Sequence, residues 1–448
     1  MIVPPSPRNP PPPVRKHLSA DALYALLRSG FGRTPDHRGR EGTVSLTDAL
    51  MSGFAMFALK DPSLLAFDQR RNDANMRDLF GIGQVPCDTR IREILDPVDP
   101  LWLRSSFDDV FRELQRGKAL EPFVFHQGCY LLSLDGTGYF SSSSIHCESC
   151  LEKVHKQTGE VTYHHQMLAA VLIHPEHREV IPLAPEPIQK QDGDSKNDCE
   201  RNASKRLLRR IREEHPRLEL IVVEDGLASN APHIRELLDL GMHFILGAKP
   251  GDHDFLLDQV LAAYDTDRVT TISWTDETGT FCEIAFANGL PLNGSNQDLR
   301  VNWLCYNEYG EDGHEKKRFS WVTDLEITRE NAHWLVRGGR CRWKIENETF
   351  NTLKNQGYHY EHNYGHGKKN LSVVFSMLMM LAFLVDQVQQ LCCPLFRAVL
   401  EKVGTKRQLW EKLRSHFWHF AFRSMQHLYQ VILYDLGRQL PAPTLDTA

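Results

Sequence analysis

The sequence predicts an α/β protein: a mixed sheet flanked by helices, interrupted by a β-rich insertion, with helical N-terminal and C-terminal regions. Three observations predict it. Between residues 121 and 250, short apolar runs of strand length alternate with helical patterns, the order that builds a sheet covered by helices. From 251 to 328 the texture is almost wholly β. On either side, residues 18–120 and 392–448 carry apolar residues at helical spacing.

In chain order, the start "MIVPPSPRNPPPPVRKH" (1–17) is Pro-rich and basic, and reads as a disordered tail. "SADALYALLRSGF" opens the helical N-terminal region on a Ser cap, and "SLTDALMSGFAMFALK" repeats the pattern. "GIGQVPCDTRIREILD" sets a Gly/Pro turn before an amphipathic helix, and "PLWLRSSFDDVFRELQRG" adds another helix. "PFVFHQGCYLLSLDGTGYF" contains a buried strand, and "TYHHQMLAAVLI" and "EVIPLAPEPI" two more. "SKNDCERNASKRLLRRIREEH" is a helix with an acidic first turn and a basic body. The strand "LELIVVEDG", the helix "APHIRELLDLG" and the strand "HFILGAKPG" follow. A short helix at 252–264 precedes four strands, "RVTTISWTD", "GTFCEIAFAN", "LRVNWLCYNEY" and "RFSWVTDLEIT". A helix at about 331–355 returns the chain to the α/β region, taken as 329–391. The region 371–432 is helical.

The totals exclude several classes. At 448 residues the chain exceeds one ordinary core and implies two or three domains. Apolar content of 41% and charged content of 25% describe a soluble globular protein, and a net charge of −6 argues against a uniformly basic nucleic-acid binder. It leaves room for a local basic face. Ten cysteines in so long a chain are not a disulfide scaffold, and no secretory signal opens it. The most apolar run, "LSVVFSMLMMLAFLV", is shorter than the roughly 20 residues of a membrane span, so it reads as a buried helix in a cytoplasmic protein.

Three carboxylates carry the chemistry. Asp135 and Asp225 each end an apolar run, where open α/β sheets place ligand sites. Each also precedes Gly, and Asp-Gly is an ordinary turn dipeptide. Glu346 falls in the stripe Trp343, Glu346, Phe350, Leu353, spaced three, four and three apart on one helical face. At α-helical rotation Arg342 lies about 40° from Glu346 and Lys354 about 80°, while Glu348 is turned about 160° away. Glu346 is thus the expected inward carboxylate, and Arg342 could simply pair with it. Two strand ends and one helix supply what a two-metal site needs: hard oxygen donors for Mg²⁺ acting on a phosphodiester. Basic residues for a polyanion are at hand in "RGGRCRWK" (337–344), with Lys354, Lys368, Lys369 and Lys249.

The ordered set "SLDGT", "VVEDG", "ILGAKPG" and "RWKIENETFNTLK" resembles bacterial insertion-sequence transposases of the DDE class. Within these it is similar to the group with a β-rich insertion before the glutamate and a Tyr-Arg-Glu-Lys signature. The resemblance spans about 123–391. It implies an RNase H-like core in which Asp135, Asp225 and Glu346 hold two Mg²⁺ or Mn²⁺ ions. Arg342, Lys354, Lys249 and Arg340 would meet DNA, and Trp321 would stack on a flipped base near the transposon end. The implied activity is hydrolysis at inverted ends, then transfer of the freed 3′-hydroxyl into target DNA, by a homodimer or higher multimer and with no membrane partner. The N-terminal helices would recognise the ends or dimerise. A transposase-derived DNA-binding protein and an RNase H-like metal nuclease are the alternatives. Two departures stand out: residue 339, the signature's Tyr position, is Gly, with Trp343 the nearest aromatic substitute, and Lys354 follows Glu346 by eight residues rather than seven.

Other features have plainer readings. "HCESC" places Cys147 and Cys150 at zinc-ligand spacing, with His146 and His155 nearby, but no second Cys-x-x-Cys exists. Loop cysteines are the stronger reading. His359, His362 and His366 in "YHYEHNYGHGKK" form a cluster, and its aromatic and Gly interleaving fits a loop against DNA at least as well as a metal site. The basic helix "CERNASKRLLRRIR" fits a solvated face and a DNA track about equally. Trp274, Trp303 and Trp321 fit a small β core.

Overall fold

The computed structural model describes residues 16–39, 42–190 and 199–436. The predicted tail therefore lies almost entirely outside the described residues, as does the predicted start of the basic helix. The chain divides into two compact units: residues 1–119, 138–165 and 351–448 form one, residues 120–137 and 166–350 the other. Its strands are β1 (Val124–His126), β2 (Cys129–Ser142), β3 (Leu151–Val154), β4 (Val161–Ile173), β5 (Ile181–Pro182), β6 (Glu186–Ile188), β7 (Leu220–Glu224), β8 (His243–Gly247), β9 (Thr270–Thr275), β10 (Phe281–Asn293), β11 (Asn296–Tyr309) and β12 (Glu315–Thr323). β2 and β4 each run through both units.

The first unit is mainly helical, as its apolar spacing predicts. Ser19 and Ser45 accept hydrogen bonds from the N–H groups of Ala22 and Asp48, capping helices Ala20–Phe31 and Leu46–Ala58. At its centre is helix Leu371–Cys392, whose 22 residues exceed the apolar run from which it was expected. Length therefore does not exclude a membrane span; packing argues against one, since 94% of its most apolar window is buried in protein. The Asp96 carboxylate accepts N–H bonds from Lys368, Lys369, Asn370 and Leu371, fixing this helix's entry. Gly53 lets helix Leu46–Ala58 approach closely: a Cβ there would lie 2.8 Å from Leu378.

The second unit is built on a mixed sheet in the order β4-β2-β7-β8-β12-β11-β10-β9. β2, β7 and β8 pair in parallel, and β8 through β9 pair antiparallel. All five residues of β7 are buried, as expected of a parallel strand covered on both faces. The four strands of the expected insertion all form. They extend the same sheet, because β12 pairs with β8 at Trp321↔Gly247. "EVIPLAPEPI" gives two short strands, β5 and β6, instead of one; its three prolines remove ladder donors.

The largest departure concerns the helix expected at 331–355. An α-helix covers only Ala332–Arg340; after a break, a π-helical turn spans Ile345–Phe350 and an α turn follows at Asn351–Asn355. Uniform α-helical phase does not apply across this stretch.

Candidate functional site

Parallel register brings the two aspartates level. β2 pairs with β7 from Tyr130↔Leu220 to Ser133↔Val223, so Asp135 and Asp225 each sit two residues past the last matched pair. Asp225 follows the end of β7, and its carboxylate accepts the Leu227 N–H at 2.9 Å, the expected Asp-Gly turn. Asp135 differs from expectation: β2 continues to Ser142, so Asp135–Gly136 lies within a strand, at the point where the parallel pairing to β7 stops. Gly136 also leaves room for a neighbouring side chain. A Cβ there would lie 2.3 Å from Glu200 Oε1.

Glu200 is therefore a fourth carboxylate of the site, on the first turn of helix Glu200–Glu214. In the sequence Glu200 is only one acid in the acidic first turn of a basic helix. Its neighbour could only emerge once β2 and that helix were placed together.

Glu346 is linked to Asp135 through Arg342, but not as the buried member of an apolar stripe. Its side chain is 45% exposed, and Trp343, three residues before it on the expected stripe, is itself exposed, while Phe350 is buried. Glu348, expected to face away, has the less exposed side chain at 21% and pairs with Arg178 at 3.3 Å. What selects Glu346 is its partner. Arg342 Nη1 lies 2.7 Å from Glu346 Oε1 and 3.8 Å from Asp135 Oδ2, one guanidinium spanning two carboxylates.

Burial pushes the Asp135 carboxyl up to about 6; the Gly136 N–H and Arg342 oppose the shift, while Glu346 and Glu200 add to it. Burial also raises Glu200, helped by Asp225. Asp135, Glu200, Asp225 and Arg342 line a cleft of about 660 Å³ with Asn202 and Lys205. Among the described residues, Asp135, Asp225 and Glu346 do not form a set with all ligand atoms within 4.8 Å of one another. The donors are nonetheless all hard oxygens, the chemistry that suits Mg²⁺ or Mn²⁺.

The remaining expected DNA contacts divide. Lys249 is exposed, and its stem approaches Gly226 beside Asp225. Arg340 is engaged by Glu308 at 3.3 Å and lies over the rings of Tyr306 and Phe319. Lys354 pairs with Glu361 at 2.8 Å. Trp321 is buried at 6% exposure, parallel to Phe319, and packed on Gly339, where a Cβ would lie 2.5 Å from the indole, in keeping with the β-core reading. It occupies the space where a residue larger than glycine at 339 would project, and the exposed Trp343 does not substitute there.

The basic helix also resolves toward structure. Arg206 pairs with Glu186, Arg209 with Glu236, and Arg212 donates to the carbonyls of Leu218 and Leu240. In "YHYEHNYGHGKK" Tyr358, Tyr360 and Tyr364 are buried, so the aromatics expected to face DNA belong to a core. Trp274 stacks on Tyr306 and Trp303 is buried, in keeping with a β core.

A family model described as the transposase DDE domain matches residues 141–384, more than half of the chain. The match includes Asp225 and Glu346 and begins six residues after Asp135. No curated protein matches. The chain belongs to the DDE-domain transposases.

Proposed function

We propose that Asp135, Asp225 and Glu346 are the catalytic carboxylates of an active DNA transposase on an RNase H-like core, with Glu200 as an auxiliary acid. The observation that carries this reading is one guanidinium shared by Asp135 and Glu346 beside a carboxyl held near 6. Such a group gains from a cation. Two Mg²⁺ or Mn²⁺ ions bound there would activate the attacking oxygen and stabilise the leaving one in phosphodiester chemistry.

The chain's own residues have separable tasks. Asp135 and Asp225, level on adjacent strands, present oxygens from a rigid sheet. Arg342 holds the Glu346 carboxylate in place and counters phosphate charge. Lys249, exposed beside Gly226, tracks the DNA backbone. The π turn bears on Lys354. It holds one residue more than an α turn, which suits a spacing of eight from Glu346 where the signature has seven. Lys354 would then exchange Glu361 for a phosphate.

Water attack at each inverted end releases a 3′-hydroxyl, which then attacks a target phosphodiester. The enzyme acts in the cytoplasm, as a multimer whose N-terminal helices bind the ends.

The test uses the full chain and a DNA fragment spanning its gene with native flanks. With Mg²⁺, wild type should nick the ends and join them to a plasmid. Asp225→Asn and Glu346→Gln should bind the ends normally and lose at least about 100-fold in cleavage, the scale of removing one catalytic electrostatic group. Robust cleavage by Glu346→Gln would sink the assignment. Cleavage without joining would indicate a nuclease, and binding without cleavage by wild type a non-catalytic derivative.

A further inference from the structure

Cys147, Cys150, His165 and His366 converge in the helical unit and are unused by the chemistry above. Each offers one ligand atom, and the four atoms all lie within 4.8 Å of one another. His366 is 216 residues from Cys150 in sequence, so no spacing motif could have joined them.

Local structure explains the convergence. β3 pairs with β4 starting at Leu151↔His164, so the antiparallel register places Cys150 opposite His165. A tight turn brings Cys147 back to Cys150: the Cys150 N–H reaches the Cys147 carbonyl at 3.3 Å, and the Cys147 N–H reaches Cys150 Sγ at 3.4 Å. The Glu148 N–H bonds the Lys368 carbonyl at 3.1 Å, tying this turn to the segment that carries His366. Ring packing orients the imidazoles. Tyr139 stacks parallel to His165, and Phe140 lies 4.2 Å from His366 between centroids.

We propose that these four residues form a closed structural zinc site, Cys₂His₂, that staples the β3–β4 hairpin to the 356–370 segment.

The distances fit that ion. Zn–S and Zn–N bonds of about 2.3 and 2.05 Å in a tetrahedron require S···S of about 3.75 Å and S···N of about 3.55 Å. The observed Sγ···Sγ separation is 3.7 Å. The Sγ···Nε2 separations are 3.3 Å for Cys147–His165, 3.5 Å for Cys150–His165 and 3.3 Å for Cys150–His366. A disulfide would need sulfurs about 2.05 Å apart, so this is not a bonded pair. All four residues are buried, leaving no open coordination position for substrate. Zn²⁺ with two thiolates and two neutral imidazoles carries no net charge, which permits burial without a further counter-ion. Two soft sulfurs also select against Mg²⁺, so this site and the carboxylates sort their metals by ligand type. His366 Nδ1 is buried with no hydrogen-bond partner, so packing rather than an outer hydrogen bond sets that ring. The two nearer histidines are not ligands: His155 bonds Thr162 at 3.0 Å, and His146 stacks on Tyr163.

The test is metal content of the full chain, purified reduced and exposed to Zn²⁺ before desalting, then measured by inductively coupled plasma mass spectrometry. One zinc per chain is expected in wild type and in His146→Ala and His155→Ala. His366→Ala and Cys147→Ser/Cys150→Ser should lose it, and His366→Cys should restore it by supplying a third thiolate. Replacing the ion in wild type with Co²⁺ should give tetrahedral visible bands and thiolate-to-cobalt charge transfer, a readout that needs no variant to fold. A zinc-selective chelator should lower the melting temperature by several degrees. Wild type without stoichiometric zinc, zinc kept by the double cysteine variant, or octahedral Co²⁺ bands would each overturn the proposal.

Discussion

Two charged clusters, one in each unit, are held on opposite terms. In the helical unit, the Lys60 ammonium and the Asp386 carboxylate are in direct contact, and Tyr358 donates to the same carboxylate at 2.6 Å. The rings of Tyr358 and Trp410 lie 4.6 and 4.1 Å from the ammonium. Burial pulls Lys60 down and pushes Asp386 up, and their mutual attraction opposes both shifts. In the sheet unit, Asp135 and Glu346 share one guanidinium, and Asp135 remains at about 6. The first cluster is internally satisfied; the second is not. A closed pair serves the fold, whereas an acid-rich cleft, under the proposed function, would keep affinity for a cation from outside, at some expense of stability.

Breaking the satisfied cluster should have the largest effect. Asp386→Ala leaves an ammonium buried without its partner and should cost about 3–5 kcal/mol in urea unfolding. Adding Lys60→Met should recover most of that loss, since a buried pair replaced by apolar groups is often close to neutral. An Asp386→Ala protein as stable as wild type would erase the contrast.

Next comes Gly136→Ala. Its Cβ would lie 2.3 Å from Glu200 Oε1, the end of a side chain able to swing away. Stability should change by less than about 1 kcal/mol, while displacement of Glu200 should slow Mg²⁺-dependent cleavage about tenfold. Unchanged cleavage would remove Glu200 from the site.

The smallest effect is a pH dependence. Asp135 binds its proton more tightly folded than unfolded, so its charge destabilises the fold above about pH 6. That penalty should fade as pH falls through about 6 toward the ordinary 3.8. In metal-free buffer, Asp135→Asn should be more stable than wild type at neutral pH, and the two should converge on acidification. Urea melts across that range measure the difference, and a gap that widens as pH falls would contradict the assignment.

Much of this architecture was legible in the chain because it is local. Ser19 and Ser45 precede apolar residues at helical spacing, and both cap helices. The strands of 267–327 announce themselves by β-branched and aromatic runs, and all four form. The site was legible in part. Asp135 and Asp225 were found through the apolar runs they follow, and Arg342 through its spacing of four from Glu346. The argument from burial at Glu346 failed, because a π turn interrupts the expected helix and leaves Glu348 the less exposed carboxylate.

By itself, then, the sequence determined most of the elements and the order of its acidic residues, since periodicity and spacing are properties of neighbouring residues, and its motifs carried the resemblance to DDE transposases. Tertiary structure alone decided that Asp135 stands level with Asp225, that Glu200 lies over Gly136, that Trp321 occupies the space at Gly339, and that His366 meets two cysteines. Those are outcomes of strand register and of packing between distant segments. No periodicity along the chain encodes which distant atoms will share one point in space.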